Sequence, residues 1–229
     1  MEFNFYGITP NILDELSYES KLGKSLKNTL RKFNKDDIFK EIRNISRYLN
    51  SRKIDFKFPV SYRIKSYHSC LIKYDKYYPN NSKDIDFVKE KKRGKPRVSI
   101  ASGHFMELNK CFNDLLGIRI IVDSYYELFE QDLSSFRLAD MRTGKANDDG
   151  YRGVHLYYQK SNFHYPIELQ INTKVDRQIN DLLHMYIYKH TKNNLIGKEV
   201  RKLFDEGNFK NIEEFKGVIE DVLCDSEKI

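Results

Sequence analysis

The sequence predicts an α+β fold built around one mixed β-sheet. Three observations carry this reading. Segments of helical period open and close the chain. Strands and helices alternate between them. One pair of strands is joined by a hairpin, which excludes a purely parallel sheet.

Each element has its own warrant. In residues 11–50, Ile12, Leu13 and Leu16, then Leu22, Leu26 and Leu30, recur at helical spacing. After Asn34 a second stripe follows: Ile38, Phe39, Ile42, Ile45 and Leu49. This segment reads as a helical packing module. Residues 54–66 alternate as a strand, with Arg63 and Lys65 on one face and Tyr62 and Ile64 on the other. Residues 67–78 read as the next helix. Residues 79–97 hold seven basic and three acidic side chains, with Pro79, Gly94 and Pro96 as breakers, and read as a basic loop insert. A helix is expected over 103–113, a strand over 117–123, a helix over 125–135 and a strand over 136–143. The DDGY turn at 148–151 leads into the strand YRGVHLYY, and SNFH turns it back into YPIELQIN. Thr173 opens a helix whose stripe is Ile179, Leu182, Leu183, Tyr186 and Ile187. Residues 197–223 add one or two more helices.

Composition limits the function classes. The chain has 229 residues, 40 Lys plus Arg and 33 Asp plus Glu, a net charge of +7. Hydrophobic residues make up 40%, enough for a core and too many for wholesale disorder. Mean hydropathy is −0.67 and no long apolar run occurs, so no membrane span is expected. The N-terminus lacks the pattern of a secretory signal. Cys70, Cys111 and Cys224 stand far apart, which fits a reducing cytosol and a cytoplasmic protein. The positive balance points to an anionic partner.

The hairpin holds the first chemistry. Ile167, Leu169 and Ile171 share one face of YPIELQIN; Glu168, Gln170 and Asn172 share the other. In the partner strand, Tyr151, Gly153, His155 and Tyr157 fall together. Such a polar face also fits simple solvent exposure. Asp114 precedes the strand GIRIIVD, in which Arg119 points away from Ile118 and Ile120. Asp114 and Glu168, with cations nearby, suit metal-assisted phosphoryl transfer: carboxylates hold Mg²⁺ and cations neutralise phosphate. GKS at 23–25 is no P-loop, because the position of the upstream glycine is Tyr18. The histidines show no HExxH spacing, and His184 and His190 read as structural.

Four segments together resemble the RelA/SpoT synthetase-domain family. YRIKSYHSCLIK at 62–73 resembles its RxKSxxSxxxK signature, and NDLLGIRI at 113–120 its DLxGxRI motif. GYRGVH at 150–155 resembles GYRSxH, and IELQINT at 167–173 resembles ExQIRT. They occur in the family's order. The family moves the β,γ-pyrophosphate of ATP onto the 3′-hydroxyl of GTP or GDP, making pppGpp and ppGpp. The resemblance implies a nucleotidyltransferase-like sheet of about five strands. It implies that Arg63 and Arg119 sandwich adenine, and that Lys65, Ser66, Ser69 and Lys73 receive the triphosphate. Asp114 would bind Mg²⁺, and Glu168 would be the general base and a second metal ligand. Tyr151 would stack on the acceptor guanine, with Arg152 and His155 near phosphate and Gln170 beside the acceptor ribose.

The chain departs from the family on the acceptor side. Asn172 stands where QIRT has arginine, and Leu183 precedes His184 where the family has glutamate. A toxic relative that pyrophosphorylates the 3′ end of tRNA is therefore a second reading, and a catalytically silent nucleotide-binding regulator a third. The expected organisation is a helical segment over 1–53, a synthetase domain over 54–190 and a helical segment over 191–229. No hydrolase segment precedes residue 54, so a standalone synthetase is expected. The terminal helices are candidates both for packing and for assembly into a homo-oligomer.

Overall fold

The computed structural model describes residues 2–19, 35–52, 54–56, 58–77, 98–99, 105–106, 112–188, 194–209, 211 and 213–219. Most of the basic insert, the GKS tripeptide, His190, Cys111 and Cys224 lie outside these residues. A five-stranded mixed sheet, flanked by helices, has the strand order β1-β4-β7-β6-β5. Its strands are β1 (Val60–Ile64), β4 (Leu116–Val122), β5 (Phe136–Asp140), β6 (Val154–Tyr158) and β7 (Ile167–Thr173). The short β2 (Val98–Ser99) and β3 (Phe105–Met106) pair antiparallel in a separate two-stranded sheet. By compactness the chain falls into two units. Unit 1 comprises 1–118, 131–137 and 157–169; unit 2 comprises 119–130, 138–156 and 170–229.

In unit 1, α1 (Pro10–Leu16) starts with Pro10 behind the cap Thr9, whose hydroxyl accepts the Ile12 N–H at 3.4 Å. Its Leu13 and Leu16 are buried. The helix α2 (Lys35–Ser51) buries the stripe Phe39, Ile42, Ile45 and Leu49, as its period predicts. Phe3 packs on Phe136 at 4.5 Å, and Phe136 on Tyr158 at 5.8 Å. The helix α3 (Tyr67–Tyr77) follows β1.

Unit 2 has a helical core. Thr173 caps α5 (Lys174–Leu182) by accepting the Asp176 N–H at 3.1 Å. The helix continues as a π turn over Leu183–Ile187, and α6 (Asn194–Asp205) and a helix over 213–219 complete the cluster. Ile179, Leu183, Ile187, Val200, Phe215 and Ile219 are all buried in it. The contact of Gly150 with Gly197 is tight. A β-carbon on Gly150, whose φ is +88°, would lie 2.2 Å from the Gly197 carbonyl oxygen. No side chain fits there.

Several boundaries differ from the sequence reading. The strand expected over 54–66 is confined to Val60–Ile64, because a turn with a cis Phe58–Pro59 bond precedes it. The helix expected over 103–113 gives way to strand at Phe105–Met106 and to a turn from Phe112, since so short an isolated helix is marginal and pairing with β2 supersedes it. The helix expected over 125–135 is the single turn α4 (Tyr126–Phe129). Downstream, Asp132 takes the Ser134 N–H at 2.9 Å, which draws the backbone into a local turn instead. β5 stops at Asp140, whose carboxylate binds both the Arg142 N–H and its guanidinium. β6 begins only at Val154, because side chains claim the Arg152 backbone: its N–H donates to Asn180 and its carbonyl accepts from Asn172 and Asn180. Among the described residues no helix is long and apolar enough to cross a membrane.

Candidate active site

Unit 1 gathers seven of the side chains singled out in the sequence. The chain leaves β1 at Ile64 and enters α3 at Tyr67, so Lys65 and Ser66 sit at the strand-to-helix turn. The Lys65 N–H donates to the Leu115 carbonyl at 2.8 Å, which ties this turn to the Asp114 turn. Ser66 caps α3: its hydroxyl oxygen accepts the Ser69 N–H at 3.2 Å, and the Ser66 and Ser69 hydroxyls lie 2.9 Å apart. Lys73 follows Ser69 by one helical turn. The Lys65 ammonium reaches Asp114 Oδ2 at 2.5 Å, and Lys73 reaches Oδ1 at 2.9 Å. One carboxylate thus answers two ammonium groups. Burial pushes the Asp114 carboxyl up, but Lys73 and Lys65 together outweigh it and hold the group below its ordinary range. Beneath them the buried Cys70 thiol is pushed up to about 11, by burial first, so it is not a nucleophile at neutral pH.

Glu168 lies on β7 and is 4% exposed. Its polar sheet face is not a wet surface, as simple exposure would have it. Tyr157 of β6 donates its hydroxyl to Glu168 Oε1 at 3.0 Å, and the Arg137 guanidinium of β5 lies 4.1 Å from the Tyr157 ring centre. Burial, and then the Glu168 charge, push the Tyr157 phenol up, so it stays a donor. Gly117 of β4 leaves the strand bare between Arg63 and Glu168. A β-carbon there would stand 3.8 Å from both side chains. Sequence reasoning placed Tyr157 on the face of His155 but gave it no role; the alternation held the signal. Arg137 carried no signal, because only the order of strands brings β5 beside β6.

The implied Mg²⁺ calls for hard oxygen donors. Among the described residues no cluster of three His, Cys, Asp or Glu side chains occurs. Mg²⁺ binds one or two carboxylates and takes the rest of its shell from water and phosphate. The hard oxygens of Asp114 and Glu168 fit such an ion.

Unit 2 holds the other candidates. Arg119 of β4 donates to Gln170 Oε1 of β7 at 3.5 Å. The Tyr151 hydroxyl lies 2.6 Å from His155 Nε2. Arg152 is buried and committed to Asp148 at 2.8 Å, and to the Tyr151 carbonyl at 2.9 Å. Asn172 is fully buried and its amide donates to the Arg152 carbonyl at 2.9 Å. A β-carbon on Gly153 would lie 2.4 Å from that amide nitrogen, so the amide packs where any side chain at 153 would stand. Leu183 belongs to the helical core and His184 is exposed. Asn180 was missed by sequence reasoning. It is buried and holds both polar groups of the Arg152 backbone.

The chain is similar in structure to small alarmone synthetases. Small alarmone synthetase 1 from Bacillus subtilis, bound to its product pppGpp, matches over 83% of this chain and 86% of its own. The identity is 18% and the TM-score 0.37. Small alarmone synthetase 2 from Bacillus subtilis matches over 85% and 92%, at 17% identity and a TM-score of 0.37. A GTP pyrophosphokinase family protein from Streptococcus pneumoniae matches over 84% and 88%, at 17% identity and a TM-score of 0.32. No family model matches the chain, and no curated protein matches it in sequence.

Proposed function

We propose that the chain is an ATP-dependent and Mg²⁺-dependent cytoplasmic transferase that moves pyrophosphate onto the 3′-hydroxyl of GDP or GTP, making ppGpp or pppGpp. The observation that carries this reading is the pairing of Lys65 and Lys73 with Asp114, in the unit that also holds the buried Glu168. Two ammonium groups parked on one carboxylate are cations held ready for a phosphate chain. Lys65 and Lys73, with the hydroxyls of Ser66 and Ser69, bind the triphosphate. Arg63 stacks on adenine through its flat guanidinium group. Asp114 and Glu168 hold Mg²⁺, whose charge offsets that of the phosphates. Glu168 takes the proton from the acceptor 3′-hydroxyl. The freed oxygen attacks the β-phosphorus of ATP, the bond from that phosphorus to the α,β-bridging oxygen breaks, and AMP leaves. Tyr151, His155 and Gln170 bind the acceptor nucleoside. Arg152, tied to Asp148, reaches acceptor phosphate only by leaving that pair.

A second reading, pyrophosphorylation of the 3′ end of tRNA, is favoured by the acceptor-side departures. Asn172 and Leu183 are both buried and make no ionic contact of the kind the family's Arg and Glu would offer.

Transfer from γ-labelled ATP decides. With Mg²⁺ and GDP, GTP or tRNA offered separately, label is expected on the guanine nucleotides and not on tRNA. Glu168→Ala should reduce the rate by about a thousand-fold or more. Label on tRNA alone overturns the alarmone reading, and ATP binding without transfer to any acceptor overturns the enzyme.

A further inference from the structure

The α2 helix carries a second stripe. Beside the buried Phe39, Ile42, Ile45 and Leu49 stand Arg43, Ser46, Arg47 and Asn50, at the i, i+3, i+4, i+7 spacing of one helix face. This face and the stretch Tyr62–Tyr67 line a pocket of about 590 Å³. That volume lies in the range of small-molecule sites.

The lining is cationic. Among the described residues Arg43, Arg47, Arg63 and Lys65 line the pocket, and no carboxylate does. Among the described residues Arg43, Arg47 and Arg63 join no ion pair, while Lys65 is paired with Asp114. The three arginines around one opening repel one another, so packing alone gives no reason to place them there. A structural arginine is normally answered by an acid or by several carbonyls. Here Arg43 spends only Nε, on the Phe39 carbonyl at 3.4 Å, and its guanidinium lies 5.6 Å from the Tyr67 ring centre. Ser46, Asn50 and Ser66 add neutral polar groups, and the rings of Tyr62 and Tyr67 are both 43% exposed. Several cations, neutral polar groups and exposed aromatic faces in one space of this size suit a nucleoside polyphosphate better than a single small anion.

We propose that α2 is a wall of the donor-nucleotide pocket, and that Arg43 and Arg47 bind the polyphosphate of the nucleoside triphosphate held by Arg63 and Lys65. This rests on the donor role proposed for Arg63 and Lys65. It changes α2 from a packing helix into one with two faces, one for the core and one for the ligand.

Calorimetric titration of the full-length chain tests it, with α,β-methylene ATP and inorganic tripolyphosphate as separate probes. Arg43→Gln/Arg47→Gln is compared with Arg63→Gln and with wild type. Both arginines are exposed, so the double variant is expected to keep the wild-type unfolding midpoint; Arg47→Lys, which keeps the charge, provides a second check on folding. The double variant should weaken both probes by about ten-fold or more, and Arg47→Lys by much less. Double-variant affinities within two-fold of wild type, while Arg63→Gln loses the ATP analogue, overturn the role of α2 and leave the donor site standing. Wild-type binding of tripolyphosphate but not of the ATP analogue, with loss in the double variant, overturns the donor reading and leaves an anion pocket on α2. Binding of neither probe by wild type overturns both.

Discussion

Glu168 is buried on a strand, yet its carboxylate is not simply sealed in. The Tyr157 hydroxyl fixes one oxygen, and Gly117 leaves the sheet bare beside the other. In the proposed reaction Glu168 is the base, and a base must be aimed as well as present, because a small misplacement of a reacting atom forfeits much of the rate. Tyr157→Phe removes the hydrogen bond and keeps the ring that Arg137 covers. We expect kcat for pyrophosphate transfer to fall by about ten- to a hundred-fold, with KM for ATP little changed, as steady-state kinetics would show. Equal losses in kcat and in ATP affinity would mean that the tyrosine serves binding instead. At this scale the sequence was most legible where residue type and chemistry coincide. Lys65, Lys73, Asp114 and Glu168 stood out because ordered motifs flagged them. Arg43, Arg47 and Arg137 did not, since an arginine on an amphipathic helix or a strand reads as solvated surface until a neighbouring element lies against it.

The elements of unit 2 depend on one buried acid. Asp176 sits in the first turn of α5 and accepts hydrogen bonds from Tyr125 at 2.6 Å and from Thr173 at 2.9 Å. Arg201 of α6 pairs with its other oxygen at 2.6 Å. The strand end, the helix start and a second helix are thereby held by one carboxylate. Burial pushes this carboxyl up, but Tyr125, Arg201 and Thr173 outweigh it and hold it below the ordinary 3.8. A carboxyl lowered in the folded state stabilises that state in full above its unfolded value, and the contribution disappears as pH falls through the folded value. Asp176→Asn should therefore cost roughly 2 kcal/mol near neutral pH, because it removes one of the two carboxylates that answer the buried Arg201 and leaves only Asp205, at 2.8 Å. Urea unfolding at pH 7 and at pH 3 should show the gap between wild type and variant narrowing on the acid side. An unchanged gap would assign the loss to packing. Element boundaries were less legible than element types for a related reason. Asp132, Asp140 and Asn180 each take backbone groups that regular structure would otherwise use, and such competition is settled by partners that are distant or local in ways a periodic pattern does not register.

Across the whole molecule, the α+β class and the mixed sheet were legible because the hairpin and the alternation of periods are local signals. Spatial grouping was not, since both units draw on separated stretches of chain: residues 1–118, 131–137 and 157–169 make one of them. The net charge of +7 gains a location, with four cations lining one pocket of unit 1. The Asp114 pairing has a thermodynamic corollary. A single carboxylate that serves two lysines is a counterion built into the resting protein, and it competes with any phosphate for them. On the proposed function Asp114 would release both lysines to the phosphate chain as it turned to a divalent cation, and lysines drawn to phosphate would release Asp114 to the cation. Linkage makes the gain mutual. Affinity for α,β-methylene ATP should rise with Mg²⁺ by more than the loss of ligand charge explains. In Asp114→Asn, calorimetry should show that excess gone. On the proposed function the resting ion pairs would act as a latch that metal and nucleotide open together, so that neither alone commits the site.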